Sequence, residues 1–534
     1  MAERMTGGQA VVRALAEHGV DVAFGIPGMH TLALYDALID SPIRHILGRH
    51  EQGVGFMADG YARASGKPGV ALVITGPGVT NVATAVGEAY TDSSPVLVVA
   101  SAEDQRWAGK MMGHYHDIRD QTEAIRPVTA SQAQATAVGE IAPAIDAAFA
   151  RMASARPRPV YVEIPRDVLE REAEITFPDP VVAARPAPTA EEIAAACQDI
   201  AAAKRVVIIA GGGAASSDAG AGIAAIAERL GAPVIVSQMG KGVIPEDHPL
   251  SLGNLWARDN PIDLMLRKAD LVLVFGTKLG GAETEDGAMR LPAAMVRVDI
   301  DPEEVERNYR PSRAIVADAR KSAEALAEAL VAAGVTKDGW TAAEIAATRE
   351  QGLENQFGAE NAEYIAALRR AIPRDGILVN DTTMMSYVAA KFFPAYAPRT
   401  FLVPAGYLTL GFSMPAAIGA KIAQPDKVVV SIVGDGGFQF TMHELATAKQ
   451  FRVGIPIVIF NDSTYTAVKL DQAMRYDRRY IAVDLENPDF LKLAAAYDIP
   501  AVRATSPAEL EAAVIEASTR DFPTIIDTPI GWTY

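Results

Sequence analysis

Residues 427–441, KVVVSIVGDGGFQFT, join a buried strand to a turn that carries one acid between glycines. Residues 428–433 form a short run rich in β-branched side chains, a pattern typical of a strand covered on both faces of a parallel sheet. Ligands of such sheets lie beyond the carboxyl ends of the strands, where a following helix N-terminus favours phosphate. Asp435 would repel phosphate there, so we expect a divalent metal ion between them. The alternative is an ordinary surface Asp-Gly turn.

A second acid follows the next strand candidate, PIVIF at 456–460, which runs into Asn461 and Asp462. Because successive strands of a parallel sheet can end at one edge, Asp435, Asp462 and a nearby backbone carbonyl could share one Mg²⁺. In the first third of the chain, Glu51 follows His50 at the start of a Gly- and Ala-rich helix pattern. For Glu51 alone, a solvated acid at a helix start is the alternative interpretation.

The hydrophobic pattern predicts an α/β fold of three domains, each with a mostly parallel sheet flanked by helices. We expect the domains at residues 1–170, 189–330 and 356–534. The Pro-rich segment FPDPVVAARPAPTAEE separates the first two, and the looser stretch AAGVTKDGWTAAEIAATREQ separates the last two. The glycine run AGGGAASS follows a strand, but Ser216 stands where a dinucleotide fingerprint has its third Gly or Ala, so the run predicts a strand-to-helix turn.

Composition excludes several classes of protein. The net charge of −17 argues against binding to nucleic acid and to anionic membrane surfaces. A single cysteine, Cys197, excludes an intrachain disulfide framework and a cysteine metal cluster. The first residues show no apolar signal-peptide core, and no stretch reaches about 20 uninterrupted apolar residues. We therefore expect a cytoplasmic protein without membrane or nucleic-acid partners.

Five motifs in one order resemble a known family. They are GIPG, RHEQGVGFMADGYAR, TGPGVTN, GYLTLGFSMPAAIGAK and the GDGGFQFTMHELATA…FND pair. Together they resemble the thiamine diphosphate (ThDP)-dependent enzymes of the acetolactate synthase and 2-oxoacid decarboxylase superfamily, over essentially the whole chain. The resemblance implies a pyrimidine-binding domain, a central domain and a diphosphate-binding domain. It also implies a homodimer or homotetramer whose active sites lie between subunits.

The resemblance also implies a role for individual residues. Glu51 matches the glutamate that activates the aminopyrimidine, and His30 and His116 are further catalytic candidates. The metal ligands would be Asp435, Asp462 and the backbone carbonyl of Thr464, although the family usually has Asn where Asp462 stands. The expected cofactor-binding residues are Gly28, Pro77, Asn81, Thr382, Thr383, Leu408, Leu410, Gly434, Gly436, Gly437 and Tyr465. Leu410 would prop the cofactor into its bent shape, and the carbonyl of Leu408 would accept a hydrogen bond from its aminopyrimidine.

The expected activity is non-oxidative decarboxylation of a small-molecule 2-oxoacid with ThDP and Mg²⁺, through an enamine intermediate. Protonation of the enamine releases an aldehyde, and a proton donor with a pKa near neutral, such as His30, suits that step; a packing histidine is the alternative. The other expected activity is an acetolactate synthase-like carboligation, in which the enamine adds to a second carbonyl. The sequence leaves FAD, a structural relic in some relatives, undecided.

Departures from the family pattern remove signatures of both acetolactate synthase and pyruvate decarboxylase. Acetolactate synthases carry a Trp on the helix after the metal ligands, where this chain has Asp471. Pyruvate decarboxylases carry a catalytic Glu there, where this chain has Val468. The pattern is closest to the bacterial 5-guanidino-2-oxopentanoate decarboxylase group, whose substrate has a cationic tail. Acids at Asp117, Asp120 or Asp471 would fit such a tail, and a solvated loop and helix face is the alternative.

Overall fold

Three six-stranded parallel sheets organise the chain. The computed structural model describes residues 2–177, 183–254, 260–353 and 358–532. Apolar clusters cover both faces of the sheets, which explains why their inner strands are continuous apolar runs. The expected α/β fold with three parallel-sheet domains is therefore confirmed.

The N-terminal sheet has the strand order β3-β2-β4-β5-β7-β6, and a small antiparallel ribbon, β1-β8, lies beside it. The strands are β1 Glu3–Thr6, β2 Val22–Gly25, β3 Arg44–Leu47, β4 Gly69–Val73, β5 Val96–Ala102, β6 Ser131–Gln134, β7 Val160–Pro165 and β8 Glu172–Ile175. The helices are α1 Gly7–Glu17, α2 Leu32–Ile39, α3 Glu51–Ser65, α4 Pro77–Asp92, α5 Gln121–Ile125, α6 Val138–Ser154 and α7 Arg166–Glu170, with 3₁₀ turns at Met29–Thr31 and Arg126–Val128.

The central sheet has the order β11-β10-β9-β12-β13-β14, so the strand order reverses between β9 and β12. Its strands are β9 Val206–Ala210, β10 Val234–Val236, β11 Ser251–Gly253, β12 Leu271–Phe275, β13 Ala294–Asp299 and β14 Arg313–Val316. Its helices are α8 Ala190–Ala202, α9 Gly212–Ser216, α10 Gly220–Leu230, α11 Pro261–Leu266, α12 Gly281–Thr284, α13 Ala319–Ala332 and α14 Ala342–Gly352, with a 3₁₀ turn at Gln238–Gly240.

The C-terminal sheet has the order β16-β15-β17-β18-β20-β19. Its strands are β15 Ile377–Asn380, β16 Phe401–Leu402, β17 Val429–Gly434, β18 Pro456–Asn461, β19 Ala501–Arg503 and β20 Thr524–Pro529. Its helices are α15 Ala359–Ala371, α16 Met384–Phe392, α17 Ser413–Ala423, α18 Asp435–Thr441, α19 Leu445–Gln450, α20 Thr466–Arg475, α21 Phe490–Ala496 and α22 Pro507–Ala517, with a 3₁₀ turn at Met442–Glu444.

Helices α3 and α17 join the N-terminal and C-terminal domains through backbone contact. A Cβ atom on Gly60 would lie 2.0 Å from the carbonyl oxygen of Ala416, and one on Gly419 would lie 1.9 Å from that of Met57. Glycine on each helix thus lets the other approach closely. Because α3 begins at Glu51, this contact fixes the helix that carries the expected activating glutamate.

Two local expectations differ from the structure. The looser stretch before the third domain contains helix α14, which Thr341 and Glu344 start with a capping box and whose Ile345 is buried. The turn after β17 is also helical, since α18 begins at Asp435, where an acid suits the helix dipole. Cys197 is buried and free.

The domain bounds at 1–170, 189–330 and 356–534 stay a prediction. Part of the Pro-rich segment, residues 178–182, and the first residues of the third domain, 356–357, lie outside the described residues. Within the described ranges, no helix is both long and apolar enough to cross a membrane.

Candidate active site

The acids expected to hold a metal ion lie at the carboxyl ends of the neighbouring strands β17 and β18. Asp435 is 2% exposed, and its Oδ2 accepts hydrogen bonds from Ser463 N at 2.8 Å and Asn487 Nδ2 at 2.5 Å. Asp462 accepts bonds from the N–H of Thr464 at 3.2 Å and from the hydroxyl of Thr466. Burial raises the pKa of Asp435, and it raises that of Asp462 to about 6, with the nearby Asp435 adding to the effect.

This donor set fits a hard divalent cation such as Mg²⁺. Two carboxylates lie close together in a buried place, and a cation between them would offset their mutual repulsion. Among the described residues, no three or more His, Cys, Asp or Glu side chains are grouped to hold a metal. The expected set has only two such side chains, because its third ligand is the backbone carbonyl of Thr464.

Glycines beside these acids form a narrow turn that fits a diphosphate. A Cβ on Gly434 would lie 3.0 Å from Thr383 Oγ1, and one on Gly436 would lie 2.5 Å from the ring of Tyr465. A Cβ on Gly437 would lie 3.0 Å from Asp381 Oδ1. Gly436 and Gly437 are in the first turn of α18, where backbone N–H groups have no backbone partner within the helix, and the N–H of Gly436 donates to Asp435 Oδ1 at 2.9 Å.

The segment from Ala405 to Gly411, here called the cofactor loop, carries Leu408 and Leu410. Leu408 has a φ of 57°, which a non-glycine residue rarely adopts, and Gly411 has a φ of 83°. Thr382 Oγ1 donates to the carbonyl of Thr409 at 3.2 Å, so the expected residues Thr382, Leu408 and Leu410 come together here. Asp381, which is fully buried, accepts the N–H of Gly411 at 3.0 Å.

Glu51 is the first residue of α3, and its partner is another expected cofactor residue. Asn81 Nδ2 donates to Glu51 Oε2 at 2.9 Å. Asn81 lies in the first turns of α4, which begins at Pro77. A Cβ on Gly78, the second residue of that helix, would lie 3.6 Å from Glu51 Oε1. The strand-to-helix turns after β3 and β4 thus bring Glu51, Pro77 and Asn81 together.

A buried glutamate of the C-terminal domain holds the turn that leads to Glu51. Glu444 accepts the N–H groups of Arg49 and His50, each at 3.0 Å, and the hydroxyl of Thr447 at 2.6 Å. Burial raises the pKa of Glu444. A Cβ on Gly53 would lie 2.3 Å from Glu444 Oε1, so glycine at that position makes room for the carboxylate.

The two candidate histidines meet beyond the carboxyl ends of β2 and β4. The rings of His30 and His116 pack edge to face with centroids 5.1 Å apart, and His30 Nδ1 lies 3.0 Å from Thr75 Oγ1. Burial, with a further contribution from His116, lowers the pKa of His30. Gly28 starts the 3₁₀ turn that carries His30. His114 is exposed and its ring lies against Trp107, apart from this pair.

A cavity of about 890 Å³ lies between the three domains and reaches the start of the cofactor loop, at Ala405 and Gly406. It is lined by the glycine turns after β9 and β12, at the reversal of strand order, and by Asp92, Arg156 and Gly406. Crevices at such reversals are the usual ligand sites of open α/β sheets. The glycine run AGGGAASS forms the expected strand-to-helix turn here, between β9 and α9.

Sequence reasoning missed several residues that complete these clusters. Asn487 contacts Asp435 from 52 positions away, and Glu444 reaches Arg49 across 395 positions. Asp381 follows a predicted strand, GILVND, and an acid at the carboxyl end of a strand could have marked it. The roles of the expected catalytic, metal and cofactor residues stay predictions.

Comparison with known proteins identifies all three parts of the chain. Residues 5–124, 193–326 and 381–528 match the N-terminal thiamine pyrophosphate (TPP) binding domain, the central domain and the C-terminal TPP binding domain of thiamine pyrophosphate enzymes.

Curated relatives match along nearly the whole length. A probable 2-ketoarginine decarboxylase, AruI, from Pseudomonas aeruginosa is 42% identical over 503 residues, covering 92% of this chain and 88% of the relative. A probable acetolactate synthase large subunit from Methanocaldococcus jannaschii is 34% identical, covering 98% of this chain and 92% of the relative. An acetolactate synthase large subunit from Corynebacterium glutamicum is also 34% identical, covering 99% and 87%. The chain therefore belongs to the thiamine diphosphate-dependent enzymes that include 2-ketoarginine decarboxylase and acetolactate synthase.

Proposed function

We propose that this enzyme decarboxylates a 2-oxoacid with a cationic tail non-oxidatively, using ThDP and Mg²⁺, and releases an aldehyde. The observation that carries the proposal is the His30–His116 pair beside Thr75. An imidazole held at the end of the N-terminal strands can deliver a proton to the carbon that has lost CO₂, which aldehyde release needs; in carboligation that carbon bonds to a second carbonyl carbon instead. The relative that is 42% identical is named as a decarboxylase of 2-ketoarginine, which is 5-guanidino-2-oxopentanoate.

The residues of the chain have separable tasks in this proposal. ThDP, when bound, supplies the electron sink for loss of CO₂. Asp435, Asp462 and the carbonyl of Thr464 would hold Mg²⁺, and Gly436 and Gly437 would offer N–H groups to the diphosphate. Glu51, oriented by Asn81, would hold a proton at the aminopyrimidine. The magnesium ion and the intermediate expected from the resemblance stay predictions.

The acid best placed for a cationic tail is Asp117. It follows His116 directly and hydrogen-bonds to Glu103, whose pKa burial raises to about 7, with Asp117 adding to the effect. All three acids have structural partners: Asp117 Oδ2 accepts the N–H of Gly113 at 2.7 Å and of His114 at 3.1 Å, Asp120 caps helix α5, and Asp471 faces Arg475 at 3.4 Å. Of the three, only Asp117 directly follows a histidine of the candidate pair. A guanidinium group beside Asp117 and Glu103 would relieve the repulsion between the two carboxyl groups.

A panel of 2-oxoacids, with CO₂ and product mass measured, tests the activity. We expect 5-guanidino-2-oxopentanoate to give CO₂ and the aldehyde faster than pyruvate gives acetolactate. The uncharged 5-ureido analogue has nearly the same shape as the guanidino acid, so comparing the two substrates isolates the effect of the charge. Asp117→Asn should reduce the preference for the guanidino acid over the ureido acid, whereas Asp471→Asn should not. Rapid acetolactate formation from pyruvate, without turnover of the guanidino acid, would instead favour the carboligase, the activity named for the acetolactate synthase relatives.

The histidine pair is tested in the first turnover. His30→Ala and His116→Ala should slow aldehyde release more than CO₂ loss, because the proton is needed only after CO₂ has left. His114→Ala is the matched control, since His114 lies two residues away but faces Trp107. Equal slowing of both steps in the His30 and His116 variants would contradict a protonating role.

We further propose a homodimer or homotetramer in which Glu51 and Asp435 of one site come from different chains. Neither Glu51→Gln nor Asp435→Ala should be active alone. After the two are mixed and reassembled, half of the dimers contain both chains, and each of those has one intact site, so about a quarter of the original activity should return. No recovery, with mixed dimers confirmed by mass, would place both residues in one chain.

The interdomain cavity is the place proposed for FAD, whose presence the sequence left undecided. A flavin absorption spectrum of the purified protein tests this assignment. The expected cytoplasmic location stays a prediction.

A further inference from the structure

The cofactor loop is attached to a helix of the N-terminal domain of the same chain. Glu88, on α4, is fully buried, and its Oε2 accepts the N–H of Thr409 at 3.0 Å and the hydroxyl of Thr409 at 2.9 Å. Its Oε1 accepts the N–H of Tyr407 at 3.4 Å. One carboxylate therefore holds the residues on both sides of Leu408, the residue with the unfavourable φ of 57°.

The contact continues along α4. Asp92, one turn after Glu88, accepts the N–H of Ala405 at 3.0 Å. A Cβ on Gly87 would lie 2.8 Å from the ring of Tyr407, and one on Gly406 would lie 2.8 Å from Thr91 Cβ. The loop is thus seated directly on the surface of α4.

A buried carboxylate at this place is costly for the fold. Glu88 lies near Asp92, and burial, followed by the charge of Asp92, raises the pKa of Glu88. The guanidinium of Arg63 pairs with Asp59 at 2.8 Å and with Asp92 at 3.0 Å, whereas the donors to Glu88 come from the loop. An apolar side chain would avoid the desolvation cost but would leave the N–H groups beside Leu408 without this acceptor.

The side chain of Leu408 is 44% exposed, so its packing contributes little to holding the backbone at this unfavourable φ. Its conformation therefore depends on the backbone bonds of its neighbours. On the far side of the loop, Asp381 accepts the N–H groups of Gly411 at 3.0 Å and Ser413 at 2.8 Å. The loop is held at one end by its own domain and at the other by the N-terminal domain.

We propose that Glu88 is a positioning residue that sets the direction of the Leu408 carbonyl, and thereby the affinity for ThDP. The proposal rests on the proposed cofactor role of Leu408 and Leu410. It adds that the N-terminal domain shapes this part of the pocket from within the same chain.

Glu88→Met in the full-length protein tests the proposal, because Met has a similar volume and lacks the oxygen acceptors. We expect ThDP affinity, measured by calorimetry with Mg²⁺, to fall by at least about 10-fold. Glu88→Gln keeps one acceptor oxygen for Thr409 and should recover part of that loss. The matched control is Glu163→Met, since Glu163 is a buried carboxylate of the same domain that bonds to Tyr161 and Gln134. It should keep the original affinity.

A second readout is independent of ThDP. Amide hydrogen exchange of the cofactor-free protein should show loss of protection at Tyr407 and Thr409 in Glu88→Met, while Ser413, which is bonded to Asp381, keeps its protection. If Glu88→Met does not fold, Thr409→Val, which removes only the hydroxyl bond, should still weaken ThDP binding several-fold.

The outcomes are distinguishable. Unchanged ThDP affinity in Glu88→Met, or equal weakening by Glu88→Gln and Glu88→Met, would overturn the proposal. Failure of the unaltered protein to bind ThDP would refute the proposed function itself. In that case the exchange experiment would still test whether Glu88 positions the loop. Equal protection of Tyr407 and Thr409 in Glu88→Met and in the unaltered protein would overturn that role.

Discussion

Substitution of Gly60 by alanine is expected to destabilise the contact between α3 and α17, although helix propensity alone predicts the opposite. In a helix interior, alanine is favoured over glycine by about 1 kcal/mol. The added Cβ, however, would lie 2.0 Å from the carbonyl oxygen of Ala416, where ordinary contact begins at 3.4 Å. The carbonyl would have to retreat by 3.4 − 2.0 = 1.4 Å, and as part of α17 it cannot rotate away as a side chain would.

Overpacking of this kind costs about 1–3 kcal/mol, and the rigid neighbour places Gly60→Ala at the upper end. After subtraction of the propensity gain, about 2 kcal/mol of destabilisation remains. For a domain of 150–250 residues, that corresponds to a fall of roughly 4–8 °C in the thermal midpoint. Differential scanning calorimetry of the cofactor-free protein measures it.

Gly139→Ala is the matched control. Gly139 lies near the start of α6, is exposed, and would place its Cβ no closer than 3.9 Å to another residue, at Ile175 Cγ2. The thermal midpoint of Gly139→Ala should equal that of the unaltered protein or lie slightly above it. A midpoint for Gly60→Ala equal to or above that of the unaltered protein would refute the argument that backbone contact between these helices requires glycine.

Three further predictions concern the candidate site and the response to pH. Glu51→Gln should keep ThDP binding but lose about 100- to 1,000-fold in turnover, since it removes a positioned proton-transfer group; near-normal turnover with bound cofactor would contradict that role. Asp435→Ala should abolish ThDP retention during gel filtration, and added Mg²⁺ or Mn²⁺ should not restore it; retention would show that the metal site is elsewhere. Burial lowers the pKa of His45 from 6.5 to about 4, so the unfolded chain takes up its proton first as the pH falls. The free energy of unfolding should therefore decrease between pH 6.5 and 4, by at most about 3 kcal/mol from this group, and His45→Gln should flatten the decrease in urea titrations; parallel profiles would contradict the assignment.

The inner strands and the main motifs were readable from the sequence. Strands β4, β5, β9, β12, β17 and β18 are buried on both faces, so each is a continuous apolar run that needs no knowledge of its neighbours. Edge strands such as β6 and β19 are short and partly exposed, and their composition does not distinguish them from loops. The positions of Asp435 at the end of a strand and of Glu51 at the start of a helix likewise followed from local pattern.

The tertiary structure alone decided which distant residues complete the site. Glu88 and Glu444 occur in ordinary helical sequence, and only the packing of two domains brings their carboxylates to the backbone of Thr409 and Arg49. The pairing of His30 with His116 depends in the same way on two separate loops that meet. Local sequence determines which face of a strand or helix is buried, because that depends on periodicity. A hydrogen bond that spans 321 or 395 positions depends on the whole chain being folded, and its partners carry no local pattern.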